Sequence, residues 1–316
     1  MTDHSRPSLA VVIPAYRVAA QIADVIARIP PDVRHIIAVD DASPDAIQDV
    51  LARVSDPRLV VLRHVENRGV GGAMKTGMRK ALDLGADVIV KVDGDGQMDP
   101  LLIPQLVEPI VAGQADFTKG NRFDDLAFIR QMPFVRRLGN LALSFLVKLA
   151  SGYWRLFDPC NGFLAVSAGL LRRVNVDRLA ERYFFEISLL CEAYFAKAVL
   201  QDVPMRPAYG AESSSLSPVG SVGHFAPRLV GRAAHRLFIA YFLKDFNVVS
   251  VFLTLGLPSV AFGVVWSLYQ WIQSARTHTA ATTGTVMIGI LAIVLGFQLV
   301  LQAIVLDVGN EPGRNR

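Results

Sequence analysis

The 316-residue sequence predicts an α/β domain built on a mostly parallel sheet with helices on both faces, followed by a juxtamembrane amphipathic helix and two transmembrane helices. Three observations predict it. Short apolar runs alternate with helical patterns through residues 1–120, polar residues collect where those runs end, and two long stretches near the C-terminus carry no Asp, Glu, Lys or Arg.

The runs LAVVIPA, HIIAVDD, RLVVLRH, ADVIVKVD and ADFTKG read as strands, and AAQIADVIARI, DAIQDVLARV and GGAMKTGMRKALDLG between them read as helices. Near-continuous apolar strands joined by helices imply right-handed crossovers and a sheet covered on both faces. Such sheets bind ligands at the carboxyl ends of their strands. The polar residues gather there: Pro14, Ala15 and Tyr16 after the first strand, Asp40 and Asp41 after the second, Asn67, Arg68 and Gly69 after the third, Asp93 and Asp95 after the fourth.

The stretch KVDGDGQMDP sets three carboxylates at the end of an apolar strand. Crowded carboxylates are accommodated by a divalent cation, and Mg2+ or Mn2+ suits oxygen ligands and bridges to substrate phosphates. A solvated Gly/Asp turn is the competing reading. A calcium-binding EF-hand loop is excluded, because Met98 and Pro104 stand where it requires Gly and Glu. In NRGVGGAMKTG, Met74 occupies the position at which both a Walker loop and a dinucleotide fingerprint need Gly. These glycines therefore either let backbone N–H groups approach a diphosphate or let the helix pack closely on the sheet.

From Phe246 to Ala275 and from Thr277 to Leu306 there is no charged residue, and each stretch is long enough to cross a hydrocarbon core of roughly 30 Å. Pro258 is placed to kink the first span, and Trp266, Tyr269 and Trp271 suit an interfacial belt. Arg228, Arg232, Arg236 and Lys244 precede the first span, whereas the connecting loop offers only Arg276, so both ends of the pair are expected on the cytoplasmic side. The segment FAPRLVGRAAHRLFIAYFLKDF reads as a juxtamembrane helix on anionic lipid. MTDHSRPSLA lacks the apolar core of a signal peptide. Cys160 and Cys191 have no paired spacing, which argues against a disulfide framework or zinc site and for reduced thiols. A net charge of +4 is too small to point to nucleic acid.

Taken in order, VVIPAY, VDDAS, NRGVGGA, VDGDGQMDP with its DxD triplet Asp93-Gly94-Asp95, GNRF at 120–123, DPCNGF at 158–163 and RYFFE at 182–186 resemble the family 2 inverting glycosyltransferases of the GT-A, Rossmann-like fold. With the two spans, nearly the whole chain resembles the polyprenyl-phosphate glycosyltransferase subgroup, relatives of dolichyl-phosphate mannose synthase. The resemblance implies a nucleotide diphosphate sugar donor bound by Pro14, Ala15, Tyr16, Asp40, Asp41, Asn67, Gly69 and Asp93. It implies Mg2+ or Mn2+ held by Asp93, Asp95 and Gln97, and a polyprenyl phosphate acceptor gripped by Arg122 with Arg136 or Arg137. An arginine fork takes phosphate in a bidentate way that Lys cannot reproduce. Arg136 and Arg137 also fit headgroup contact, since MPFVRRLGNLALSFLVKLASGYW reads as an amphipathic interfacial helix.

Asp158 matches the position often assigned as catalytic base, which would make Asp158, Asp95 and Arg122 the catalytic set. A phosphate monoester with a second pKa of about 6 is already largely ionised at neutral pH, so Asp158 has positioning as its alternative role. Glu186 is a further acid, with burial against an Arg as its structural reading. The family's usual Arg and Ser-Lys pair is replaced here by YGAESSSLSP, with Ser213, Ser214 and Ser215, which leans toward a bacterial branch and an inner-membrane location.

The expected organisation is a cytoplasmic catalytic domain at 1–223, the juxtamembrane helix at 224–246, the transmembrane hairpin at 247–307 and a tail at 308–316. The expected reaction is inverting transfer of one hexose to undecaprenyl phosphate or a related lipid. A processive synthase is disfavoured because no Gln-x-x-Arg-Trp motif is present, and a catalytically inactive membrane scaffold by the intact Asp93, Asp95 and Arg122. Membrane lipids are expected contacts. The sugar, the base and the oligomeric state, a homo-oligomer included, stay open.

Overall fold

A computed structural model describes residues 7–122, 134–159, 161–205 and 218–313 of the chain. Two compact units divide it, residues 1–232 and 233–314.

The first unit carries a seven-stranded sheet: β1 (Leu9–Ala15), β2 (Val33–Asp40), β3 (Leu59–Arg63), β4 (Val88–Lys91), β5 (Phe117–Asn121), β6 (Leu164–Ser167) and β7 (Leu200–Pro204). Their order is β3-β2-β1-β4-β6-β5-β7. The first five strands match the five apolar runs, and β1 pairs in parallel with both β2 and β4. The sheet is mostly parallel, as expected, with one departure. β6 runs antiparallel between β4 and β5, with Leu164 opposite both Lys91 and Lys119. A strand running backwards is entered from the edge at which its neighbours end. The loop before β6 therefore lies at the carboxyl edge of β4 and β5.

Helices α1 (Ile22–Ala27), α2 (Ile47–Arg53), α3 (Gly69–Asp83), α4 (Ile103–Val111), α5 (Phe134–Ser151), α6 (Ala168–Arg173) and α7 (Phe185–Phe195) complete this unit. Val11, Ile13 and Val90 on one face of the sheet pack with Ile22, Val25 and Ile26 of α1 and with Ile103, Leu106 and Ile110 of α4. Burying a set of aliphatic side chains like these contributes about 1.5–3 kcal/mol each, offset by lost conformational entropy. α3 covers the opposite face, where Gly77 lies against Val12. Along α5, Phe134, Leu138, Leu141 and Phe145 are exposed, while Val147 and Ala150 are buried. One apolar stripe of this helix thus faces outward.

Past the start of α8 (Pro218–Phe238), in which the division between units falls, the second unit holds a π-helical turn (Ile239–Lys244), α9 (Val248–Thr277) and α10 (Thr283–Gly309). At 1.5 Å per residue these last two helices are about 45 and 40 Å long, enough to cross a membrane. An 18-residue stretch of each has a mean hydropathy of 2.2 and 2.5 respectively, and large apolar side chains such as Leu255, Val265, Leu295 and Phe297 point outward. α9 starts at a capping box: Asn247 Oδ1 accepts the Val249 N–H at 2.9 Å, and Ser250 Oγ accepts the Asn247 N–H at 3.0 Å. It ends at His278, whose φ of 51° turns the chain. Trp266 donates its indole N–H to the Thr285 carbonyl at 2.9 Å, so it ties the hairpin together, while Tyr269 and Trp271 are exposed.

One sequence expectation is corrected here. Arg236 does not face lipid: it is 1% exposed, and its guanidinium donates to both oxygens of Asp307 at 2.8 and 2.7 Å. Tyr241 donates its hydroxyl to the same carboxylate at 2.5 Å. Helical spacing alone put Arg236 in register with Arg228 and Arg232, but the acid that claims it is 71 residues away. Ser213, Ser214 and Ser215 lie outside the described residues.

Candidate active site

The carboxyl edge of the parallel strands is where the predicted residues meet. At the end of β1, Pro14 is half-buried, Ala15 is buried and Tyr16 is exposed. Arg17 follows at φ 57° with its guanidinium 5.3 Å from the Tyr16 ring centre, and its N–H is held by Ser43 Oγ at 2.7 Å.

Asp40 and Asp41, at the end of β2, turn inward. Asp40 accepts the Ser43 N–H at 2.8 Å and the Gln48 amide at 3.0 Å. Asp41 accepts the N–H groups of Arg68 and Gly69 at 2.9 and 2.7 Å and the Nδ1 proton of His64 at 2.7 Å. Its carboxylate thus caps α3, a favourable place for negative charge at a helix N-terminus. Asn67 donates its amide to the Asp41 carbonyl at 3.2 Å, fixing the same loop. Both acids expected to hold base or ribose are thereby engaged in the fold's own bonds. The choice left open for the glycines is also decided by geometry: a side chain at Gly71 would collide with the Ala180 carbonyl, and the Gly72 N–H donates to the Glu181 carbonyl at 2.9 Å. The entry of α3 is packed against protein.

After β4, Asp93 and Asp95 stand on a turn whose Gly96 has φ 77°. Asp95 Oδ1 accepts the N–H of Gln97 at 3.0 Å, and the Gln97 side chain is exposed. Burial, reinforced by the nearby Asp93 charge, pushes the Asp95 carboxyl above the usual carboxylate range. Asp93 is met by Lys91 Nζ at 2.5 Å, and the same ammonium lies 3.3 Å from Glu186 on α7. Glu186 is thus paired with a lysine where an arginine was expected. Among the described residues no group of three His, Cys, Asp or Glu side chains gathers as a complete metal cage. Two carboxylates with hard oxygen donors do fit a Mg2+-like ion that completes its shell with phosphate oxygens and water.

The antiparallel entry into β6 brings a second constellation to this edge. Asp158, 1% exposed, accepts from Arg122 Nε at 2.7 Å and from Arg122 Nη2 at 3.2 Å, while the Arg122 side chain stays 40% exposed. Asn161 braces the loop by donating to the Gly120 carbonyl at 2.6 Å, and its own carbonyl accepts from buried Lys119 at 2.6 Å. Asp202 on β7 accepts the Phe157 N–H at 2.6 Å, and burial, with Asp158 nearby, pushes its carboxyl up to about 6. Arg137 is exposed on α5 with its guanidinium 6.0 Å from the Phe134 ring centre. The side chain of Arg136, Phe123 of the GNRF motif and Cys160 lie outside the described residues.

Lys91, Lys119 and Asp202 were missed by sequence reasoning. The available signal was a lysine inside VIVKVD and FTKGN, at positions where an apolar strand should carry none.

With that geometry in place, the comparisons are specific. The model of the family described as Glycosyl transferase family 2 matches residues 10–174. The UDP-N-acetylglucosamine–dolichyl-phosphate N-acetylglucosaminyltransferase of Methanococcus voltae is 30% identical over 213 residues, 63% of this chain and 84% of that protein. The undecaprenyl-phosphate mannosyltransferase of Micrococcus luteus is 31% identical over 157 residues, 49% of this chain and 63% of that one. Among solved structures, glucosyl-3-phosphoglycerate synthase from Mycobacterium tuberculosis, in complex with Mn2+, UDP and glucosyl-3-phosphoglycerate, superposes with a TM-score of 0.53 at 21% identity, covering 73% of this chain and 80% of that one.

Proposed function

The chain belongs to glycosyl transferase family 2, and from that premise we propose that it moves a single hexose from a nucleotide diphosphate sugar to a polyprenyl phosphate, inverting the anomeric centre. The observation that carries this reading is the half-exposed Arg122 fork, backed by buried Asp158, at the same sheet edge as Asp93 and Asp95. The lipid-phosphate substrates in the names of the Methanococcus and Micrococcus relatives support the acceptor class.

In this reading the donor lies along the carboxyl edge, its nucleotide against Pro14, Ala15 and Tyr16, and Asp40 shapes that edge through its bonds to Ser43 and Gln48. Asp41, Asn67 and Gly69 serve it by fixing the loop that frames the pocket. Asp93 and Asp95, with Gln97, would hold Mg2+ or Mn2+, whose chemistry there would be to neutralise charge that grows on the leaving nucleoside diphosphate.

Arg122 takes the acceptor phosphate. Asp158 already accepts from it through both oxygens, which suits a positioning group: it holds the guanidinium plane, and the ionised phosphate attacks without needing a base. Arg137 supplies a second phosphate or headgroup contact, and Arg136 is assigned there on sequence alone. The exposed stripe of α5 and the helices α9 and α10 are the membrane-facing parts, with the catalytic unit on the cytoplasmic side of a bacterial inner membrane.

The test is purified protein in detergent with undecaprenyl phosphate, Mn2+ or Mg2+, and a panel of labelled nucleotide sugars, scoring label that enters the organic phase. Transfer from one donor that EDTA stops is expected, and Asp95→Ala should abolish it. No transfer from any donor, or full activity in that variant, sinks the reading.

A further inference from the structure

Lys91 is the residue at the candidate site that the reaction outlined above leaves without a role. It sits at the end of β4 with its side chain 1% exposed, in a strand whose other members, Val88, Ile89 and Val90, are all apolar and buried. A buried ammonium is costly unless paired. Here two carboxylates pair it: Asp93 Oδ1 at 2.5 Å and Glu186 Oε1 at 3.3 Å. Glu186 lies in the first turn of α7, where negative charge is favoured.

The clamp reaches Asp93 from a second side. Were Gly162 to carry a side chain, its Cβ would stand 2.7 Å from Lys91 Nζ and 2.9 Å from Asp93 Oδ2. The loop leading into β6 thus leaves room for this ion pair and closes over it. Among the described residues Asp95 has a different anchor: its Oδ1 is held by the backbone N–H of Gln97 in its own turn. The two acids of the DxD triplet are therefore unlike: one is fixed from beneath by a buried cation and the other rests on a surface turn.

From this geometry we infer that Lys91 and Glu186 form a positioning pair that holds the Asp93 carboxylate in one orientation, so that an incoming divalent cation meets a preset oxygen. Neither residue touches the reacting atoms. The inference rests on the cation reading of Asp93 and Asp95, and the experiment separates the two.

Mn2+ alone is titrated into the full-length protein in detergent, and the free-ion electron paramagnetic resonance signal gives the bound fraction. Wild type is first compared with Asp95→Ala. Loss of binding in that variant supports the cation reading; equal binding in both removes that reading and this inference with it. The deciding protein is Lys91→Met/Glu186→Gln, which deletes one positive and one negative charge and so leaves the net charge of the site unchanged. A purely structural pair would be replaced with Mn2+ affinity intact. A positioning pair predicts binding weaker by about tenfold, the size of one lost orienting interaction, with a thermal midpoint close to wild type. Unchanged affinity overturns the inference while leaving the cation reading standing, and tighter binding overturns it by making Lys91 a competitor of the metal. Glu186→Asp keeps every charge but shortens the reach to Lys91. It carries the test if the double variant does not fold: about threefold weaker binding is expected, and wild-type affinity overturns the inference.

Discussion

Two arginine–aspartate forks in this chain have nearly the same geometry and opposite surroundings. Arg122 and Asp158 meet at 2.7 and 3.2 Å, and Arg236 and Asp307 meet at 2.8 and 2.7 Å. Both aspartates are sealed from solvent. The arginines differ: the Arg122 side chain is 40% exposed and that of Arg236 is 1% exposed. Distance therefore does not tell a site from a strut. A guanidinium offers five donors in a fixed plane, so one that gives an edge to its aspartate and keeps a face open can still receive an anion. One that is buried, with Tyr241 also donating to its aspartate, joins α8 to the last turn of α10.

Deleting one partner of each fork probes that contrast most strongly. Asp307→Ala removes the carboxylate that accepts both guanidinium donors of a buried cation and should destabilise the second unit by about 3–5 kcal/mol, read as a lower thermal midpoint in detergent. A change below 1 kcal/mol would mean that water reaches Arg236 and the contrast in exposure is false. Arg122→Lys should leave the midpoint within about 1 kcal/mol of wild type yet lower kcat/KM for the lipid phosphate by roughly a hundredfold, because an ammonium cannot form the fork. If donor KM moves and the acceptor term does not, Arg122 serves the donor. Asp158→Asn keeps shape and one acceptor, so a smaller loss of about tenfold is expected; a collapse of several orders of magnitude would restore Asp158 to the role of base.

A subtler probe uses pH. Folding raises the Asp202 carboxyl from 3.8 to about 6, with its Oδ1 buried and unpartnered among the described residues. Between those values the native chain binds more protons than the unfolded one. This group's contribution is therefore fully present below pH 3.8 and is lost as pH rises through about 6, by up to about 3 kcal/mol. Asp202→Asn should raise the thermal midpoint at pH 7 and make no difference near pH 4; an equal gain at both would assign the effect to packing. The smallest effect belongs to Arg236→Met/Asp307→Leu. Replacing a sealed ion pair with apolar side chains should change stability by less than about 1 kcal/mol, provided the pair is a strut and no more.

How far the site could be read beforehand varies residue by residue. Asp93 and Asp95 stand out because they crowd the end of one apolar strand, and a parallel sheet puts strand ends where ligands bind. Arg122 is marked by its motif. That Asp158 could orient an arginine was an open alternative, but which arginine was not legible, since Arg122 is 36 residues away and meets it only because β6 runs against its neighbours. Asp41 illustrates the opposite error: an acid at a strand end looked like a ligand contact, and its oxygens hold the entry of α3. Lys91 gains its meaning only from the fold, which buries its ammonium between Asp93 and Glu186, 95 residues further along the chain.

Period and composition, which are local properties of the chain, were enough to determine the alternating strands and helices, the carboxylate pair at a strand end and the two apolar helices. What only the tertiary structure decided is which charges face one another and which still face solvent. Arg122 with Asp158, Arg236 with Asp307 and Lys91 with Asp93 and Glu186 all depend on it. Sequence records that a charged residue is present, but whether it is sealed into an ion pair or left partly exposed is set by the elements packed around it.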